Sequence, residues 1–214
     1  MPDHPENAGS GSLLKKSWFA FRSLLTIPHR LLYRRSSVRP VIDKDIERWM
    51  EILQPHSFSQ DNITTHLNYL LLKHPEYRNL FYYRLGRESI LVHLLGIILK
   101  PVDTLFISTD DIGEGLFIQH GFCTIIVAEK IGKNCWINQQ VTIGHYVDRG
   151  SPVIGDNVRI AAGAKVIGGI TIGNNVIVGA NAVVVKNVPA NCTVVGVPAY
   201  IVRRDGVKTN EPLS

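Results

Sequence analysis

Cysteine is scarce and unpatterned: Cys123, Cys135 and Cys192 are the only three, with no CxxC pair and no spacing that gathers a metal. An odd count argues against a disulfide framework, and a reduced, cytoplasmic setting is the simpler expectation. Also missing is any apolar run of the ~18–20 residues that a membrane-crossing helix needs. The opening MPDHPENAGSGS has no basic stretch followed by an apolar core, so it reads as a disordered lead-in and not as a secretory signal. Charge is low as well. Only 19% of the 214 residues are charged, which suits a chain whose later part is rich in Val, Ile, Gly, Ala and Asn.

One absence is local. Between Glu6 and Asp43 there is no acidic residue, whereas Lys15, Lys16, Arg22, Arg30, Arg34, Arg35 and Arg39 all carry positive charge. Such a segment attracts anionic partners: phospholipid, nucleotide or nucleic acid. Within it, residues 13–27 form an amphipathic helical pattern, with Leu14, Trp18, Phe21 and Leu25 on one face and Lys15, Lys16 and Arg22 off it. Pro28 is expected to end or kink that helix. Two readings stand side by side. Residues 13–35 make a peripheral contact with the inner membrane face, or the helix packs on the protein's own helical region or on its own copies.

What the chain has in plenty is a six-residue repeat. An aliphatic residue recurs at Ile112, Ile118, Ile125, Ile131, Ile137 and Ile143. It resumes at Ile154, Ile160, Val166, Ile172, Val178 and Val184. The period slips twice, by one residue before Ile125 and by five before Ile154. Glycine often follows the anchor, as at Gly113, Gly132, Gly144, Gly155 and Gly173. A six-residue period fits neither an α-helix nor an alternating strand. It fits a solenoid of three flat faces per coil, with anchors stacked along the axis, and twelve anchors make about four coils. Ahead of the repeat, VIDKDIERWMEIL, NITTHLNYLLLKH, HPEYRNLFYYRLG and SILVHLLGIILK read as helices, with Asp61-Asn62 and Pro75 at helix starts. The expected class is α+β: a lead-in with the basic segment (1–40), a helical domain (41–102), a parallel β-helix (103–190) and a closing segment with a tail (191–214).

The stretch IGDNVRIAAGAKVIGGITIGNNVIVGANAVVVKNV and the closing VVGVPAYIV resemble the hexapeptide-repeat acyltransferases, over roughly residues 103–204. The nearest subgroup looks like the serine acetyltransferases and their relatives that acetylate sugars of surface polysaccharides. The resemblance implies a left-handed β-helix, a homotrimer and acetyl-CoA as co-substrate, with no metal and no nucleic-acid partner. It also implies the site. His120, in LFIQHG, matches the family's catalytic histidine and would serve as base and then acid, a task imidazole suits near neutral pH. Gln119 precedes it where the family has Asp, and is a candidate contact to the acceptor. Gly144 and His145 stand where the family places a Gly-Gly pair against the pantetheine arm, and His145 is open to three roles: orienting the acceptor, binding CoA or serving as a loop residue. Arg149, in the same loop, is either an acceptor or phosphate contact or a solvated charge. Ala162, Gly163, Gly179 and Ala180 match the small residues along the pantetheine groove, where packing between coils is the plainer reading. Lys186, Arg203 and Arg204 match cations near the CoA phosphates.

Two positions depart from serine acetyltransferase. Leu105 stands where the family carries an Asp that assists the histidine, and Ser151 replaces the second family histidine. No carboxylate for His120 is evident, Glu129 and Asp148 being merely near in sequence. Those losses point to a different acceptor, and a sugar hydroxyl of a surface glycan is expected. Serine in cysteine biosynthesis is the alternative, and a non-catalytic scaffold the reading from another class.

Overall fold

The computed structural model describes residues 21–53, 62–145 and 150–213. Most of the basic amphipathic stretch and Asp61 therefore lie outside the described residues. The helical part begins with a 3-10 turn (Ser23–Thr26). It continues through α1 (Ile27–Arg35), α2 (Arg39–Leu53), α3 (Ile63–Lys73), α4 (Pro75–Gly86) and α5 (Ile90–Ile98). Pro28 falls in the first turn of α1, where its missing N–H costs nothing. Asn62 caps α3, its side chain accepting the Thr65 N–H at 3.0 Å.

Residues 105–195 wind through three parallel sheets in turn. The first sheet joins β1 (Leu105–Ile107), β4 (Thr124–Ile126), β7 (Thr142–Gly144), β10 (Lys165–Ile167) and β13 (Val183–Val184). The second joins β2 (Asp111–Ile112), β5 (Lys130–Ile131), β8 (Val153–Ile154) and β11 (Thr171–Ile172). The third joins β3 (Phe117–Gln119), β6 (Trp136–Asn138), β9 (Arg159–Ile160), β12 (Ile177–Val178) and β14 (Cys192–Val195). Antiparallel β15 (Tyr200–Arg204) and β16 (Val207–Pro212) then extend the third sheet. Each chain passage visits each sheet once, so the three sheets are the faces of one prism. The helical region followed by a parallel β-helix is the expected architecture. The strand ladders resolve about five turns, because β1 in the first turn and Val188 and Val194 in the last lie outside the twelve anchors.

The anchors stack as the period requires. Ile118, Ile137, Ile160, Val178 and Val194 run in register down the third sheet and are all essentially buried. Burying such a side chain contributes about 1.5–3 kcal/mol, but only when a neighbouring turn covers it. One anchor is corrected. Ile125 points outward, 41% exposed, and Ile126 is the buried member that pairs with Ile143. The turn ahead of it is longer than the period suggested. His120, Gly121 and Cys123 all have positive φ there, and this corner absorbs two extra residues before the inward position returns.

The helical region is fastened to the first turns of the prism. Trp49 of α2 and Tyr77 of α4 are fully buried, and Trp49 packs on Phe117 with ring centroids 4.6 Å apart. Its indole Nε1–H donates to the Leu116 carbonyl at 2.8 Å. Buried Asp45 meets Arg84 at 2.9 Å and accepts the Gly115 N–H at 2.7 Å. Arg84 also donates to the Ile112 and Gly113 carbonyls. A buried ion pair with so many further hydrogen bonds fixes geometry even where its net contribution is small. Together these contacts set α2 and α4 over the outer side of β3, where the leading functional candidate emerges.

Candidate active site

His120 follows β3 immediately, at the edge where the third sheet turns into the first. It is exposed and sits at φ +65°, a left-handed conformation that a β-carbon tolerates only in tight turns. Gly121 comes next, also at positive φ. A Cβ there would lie 3.0 Å from the Leu105 Cδ2 and 3.2 Å from the Glu76 Cβ. The corner is thus enclosed by β1 on one side and by the first turn of α4 on the other. Two residues past each anchor of the third sheet, the same edge carries Gln139, Ala162 and Ala180 in successive turns. Gly163 and Asn181 follow the last two and are again at positive φ.

A hydrogen-bond chain fixes the amides beside this edge. The Trp136 indole can only donate, and it donates to Gln119 Oε1 at 3.2 Å, which settles how the Gln119 amide is turned. That oxygen also accepts the Asn138 Nδ2–H at 3.0 Å, so Asn138 must present its oxygen elsewhere. Asn138 Oδ1 and the neighbouring Gln139 Oε1 are buried acceptors without a hydrogen-bond donor among the described residues. Buried acceptors are rarely left so, unless a water, a ligand or another chain supplies the donor. The Arg159 guanidinium lies 4.4 Å over the Trp136 ring in the next turn.

The Glu76 side chain, from a part of the chain remote in sequence, abuts this corner through its Cβ. Glu76 is only 13% exposed, with Oε1 3.6 Å from His74 Nδ1. Glu129, by contrast, is exposed in the turn after β4, and Asp148 lies outside the described residues. Sequence reasoning missed Glu76. Pro75 marked the helix start, but which coil that start would meet is a matter of tertiary packing.

The other expected residues divide. Ala162, Gly163, Gly179 and Ala180 fall along the edge that begins at His120. For the two glycines the structure also supplies a packing reason. A Cβ on Gly163 would strike the Asn181 side chain, and one on Gly179 would lie 2.7 Å from Val195 Cγ1. Gly144 ends β7 and exposed His145 follows it, at the edge between the first and second sheets. Within one chain His145 is therefore on a different edge from His120. Arg149 lies outside the described residues, and Ser151 is half-buried just beyond the insertion. Of the cations, Lys186 donates to the Leu213 carbonyl at 3.0 Å. Arg204 is held by Glu211 at 2.6 Å, a hydrogen-bonded pair that pushes the Glu211 carboxyl below its ordinary range. Arg203 is exposed and donates to the Gly206 carbonyl at 3.3 Å. Buried Cys135, whose thiol is pushed up to about 12 by burial, offers no nucleophile at neutral pH. A cleft of about 700 Å³ between α4 and the Asp110–Glu114 turn lies on another edge and includes none of the expected residues.

Repeat, prism and histidine-bearing edge define a hexapeptide-repeat transferase. In line with this, residues 151–186 match the bacterial transferase hexapeptide (six repeats) family model. A serine acetyltransferase of Staphylococcus xylosus is 54% identical over 99 residues, 44% of this chain and 46% of that one. One from Staphylococcus aureus is 50% identical over 105 residues, 47% of this chain and 49% of the relative. The chain spans about half the length of these curated relatives. Soybean serine acetyltransferase complexed with serine is 30% identical, with a TM-score of 0.58, covering 78% of this chain and 70% of that one. The Neisseria gonorrhoeae serine acetyltransferase in complex with serine is 28% identical, with a TM-score of 0.59, covering 82% and 73%. The chain belongs to the serine acetyltransferase family. The expectation of a sugar acceptor is thereby corrected, since these relatives are serine acetyltransferases.

Proposed function

We propose that the protein is an acetyl-CoA-dependent serine O-acetyltransferase of cysteine biosynthesis. The likeness to serine acetyltransferases, at 50–54% identity over about a hundred residues, carries this reading. The edge at His120 supplies the groups that the reaction needs. His120 takes the proton of the serine hydroxyl, the oxygen attacks the acetyl carbonyl, and His120 returns the proton to the departing thiolate. The co-substrate supplies the activated thioester. Its extended arm suits the edge through Ala162 and Ala180, whose small side chains leave the backbone approachable, with Gly163 and Gly179 the adjoining positions, while Gly144 would reach the arm from a neighbouring subunit. Arg203 and Lys186 are better placed to meet a phosphate than Arg204, because they make no ion pair among the described residues, whereas Arg204 is committed to Glu211.

On the acceptor side, serine brings an ammonium group with three donors. Asn138 Oδ1 and Gln139 Oε1, in the turn next to His120, are acceptors without a donor among the described residues, and Glu76 adds a carboxylate whose Cβ abuts the Gly121 corner. Gln119 acts indirectly, by turning Asn138. A homotrimer gives His145 and Arg149 a place in the same site, contributed by the neighbouring subunit. We place the enzyme in the cytoplasm. Incubation with acetyl-CoA and L-serine, followed by thiol release and by mass spectrometry of the product, tests the reading. O-acetylserine formed at a rate well above acetyl-CoA hydrolysis is the expected result. Thiol release that is indifferent to serine overturns it.

A further inference from the structure

Helix α5 is buried on one side only. Val92 and Leu95 face the protein, while Ile90, Leu94 and Ile97 are 73%, 51% and 79% exposed, with Leu91 and Ile98 beside them. A nine-residue helix with this stripe on its outer side leaves apolar surface unsatisfied in water. It does not stand alone. Tyr82 donates to the Leu95 and Leu99 carbonyls and meets His29 Nε2 of α1 at 2.9 Å, which holds α1 against α5. The outer side of α1 and its leading turn is again apolar, with Leu24 57% and Leu31 48% exposed. Arg34 and Arg35 flank that side, are exposed, and pair with no carboxylate among the described residues.

We infer that the outer sides of α1 and α5 form one surface that docks on an anionic phospholipid bilayer. The charge pattern selects this occupant. Arg34 and Arg35 stand exposed on this surface and α1 carries no acidic residue to offset them, so two copies of it would bring like charges together, whereas an anionic headgroup layer answers them. Among the described residues no helix is long and apolar enough to cross a membrane, so the contact is shallow. Leu and Ile side chains enter the headgroup boundary and the arginines meet phosphate. The surface lies in the helical region, and the inference holds whatever the identity of the acetyl acceptor.

Co-sedimentation of the full chain with vesicles tests it, using phosphatidylcholine alone and phosphatidylcholine mixed with phosphatidylglycerol. The protein is expected to bind the mixed vesicles, more weakly as salt is raised, and to ignore the neutral ones. Two pairs of substitutions, Leu94→Ser with Ile97→Ser and separately Arg34→Gln with Arg35→Gln, are each expected to weaken binding by about tenfold. Acetyl transfer in solution should be unchanged in both. Absence of binding to mixed vesicles overturns the inference, as does full binding by the Leu94/Ile97 variant. So does a variant whose assembly size falls while the parent protein shows no vesicle binding, because a second copy then covers this surface.

Discussion

His120 owes its place to backbone conformation. A left-handed residue at the end of β3 swings its side chain out of the β ladder, and Gly121, crowded by Leu105 and Glu76, holds the turn closed behind it. The histidine was legible from sequence because LFIQHG resembles the segment that carries the family's catalytic histidine. Glu76 was not legible, since it lies more than forty residues earlier and reaches the corner only through the packing of α4 on β3. The orientation of Asn138 was equally hidden, because it depends on Trp136 donating to Gln119 from the next turn. If Glu76 receives the serine ammonium, Glu76→Gln keeps the shape and loses the charge. Steady-state kinetics should then show KM for serine raised about tenfold, with KM for acetyl-CoA little changed. Equal effects on both substrates would assign Glu76 a purely structural role.

At the scale of elements, the repeat was readable because stacking imposes it on the sequence. The Ile-Gly pairs of the anchors illustrate why. At the edge between the second and third sheets, a Cβ on Gly132 would lie 2.6 Å from the carbonyl carbon of Gly155, backbone against backbone, in the turn below. Neither chain can yield without breaking its ladder. Gly132→Ala should cost about 1–3 kcal/mol in chemical denaturation, although the dihedral angles suit alanine. Ile125 and Ile126 show the limit of such reading: in a run of two isoleucines, the inward one is decided by the length of the corner before it. The helices were readable from their caps and apolar spacing, but the direction in which α1 packs was not. Its His29 is fully buried, hydrogen-bonded to Tyr82, and burial lowers it from 6.5 to about 4. Below pH 6.5 the unfolded chain takes up a proton that the folded one refuses, so stability is complete above that pH and falls as the pH drops toward 4. Thermal melts across this range should show the fall, and His29→Gln should flatten it.

The whole molecule raises the question of how two histidines on different edges serve one reaction. His120 lies where the third sheet meets the first, His145 where the first meets the second. A three-fold assembly brings one edge of each chain against another edge of its neighbour, and a site shared in this way can be complemented. If both histidines contribute, inactive His120→Ala and His145→Ala chains, mixed and refolded together, should recover about one quarter of the wild-type sites. No recovery, or activity retained in His145→Ala alone, would confine the site to one chain. Everything proposed for this edge turns on His120 handling the serine proton, so the most direct measurement is kcat/KM for serine in His120→Ala, alongside its melting curve. A loss of about 100-fold or more with the melt unchanged is expected. A folded variant that keeps its activity within about threefold would contradict it.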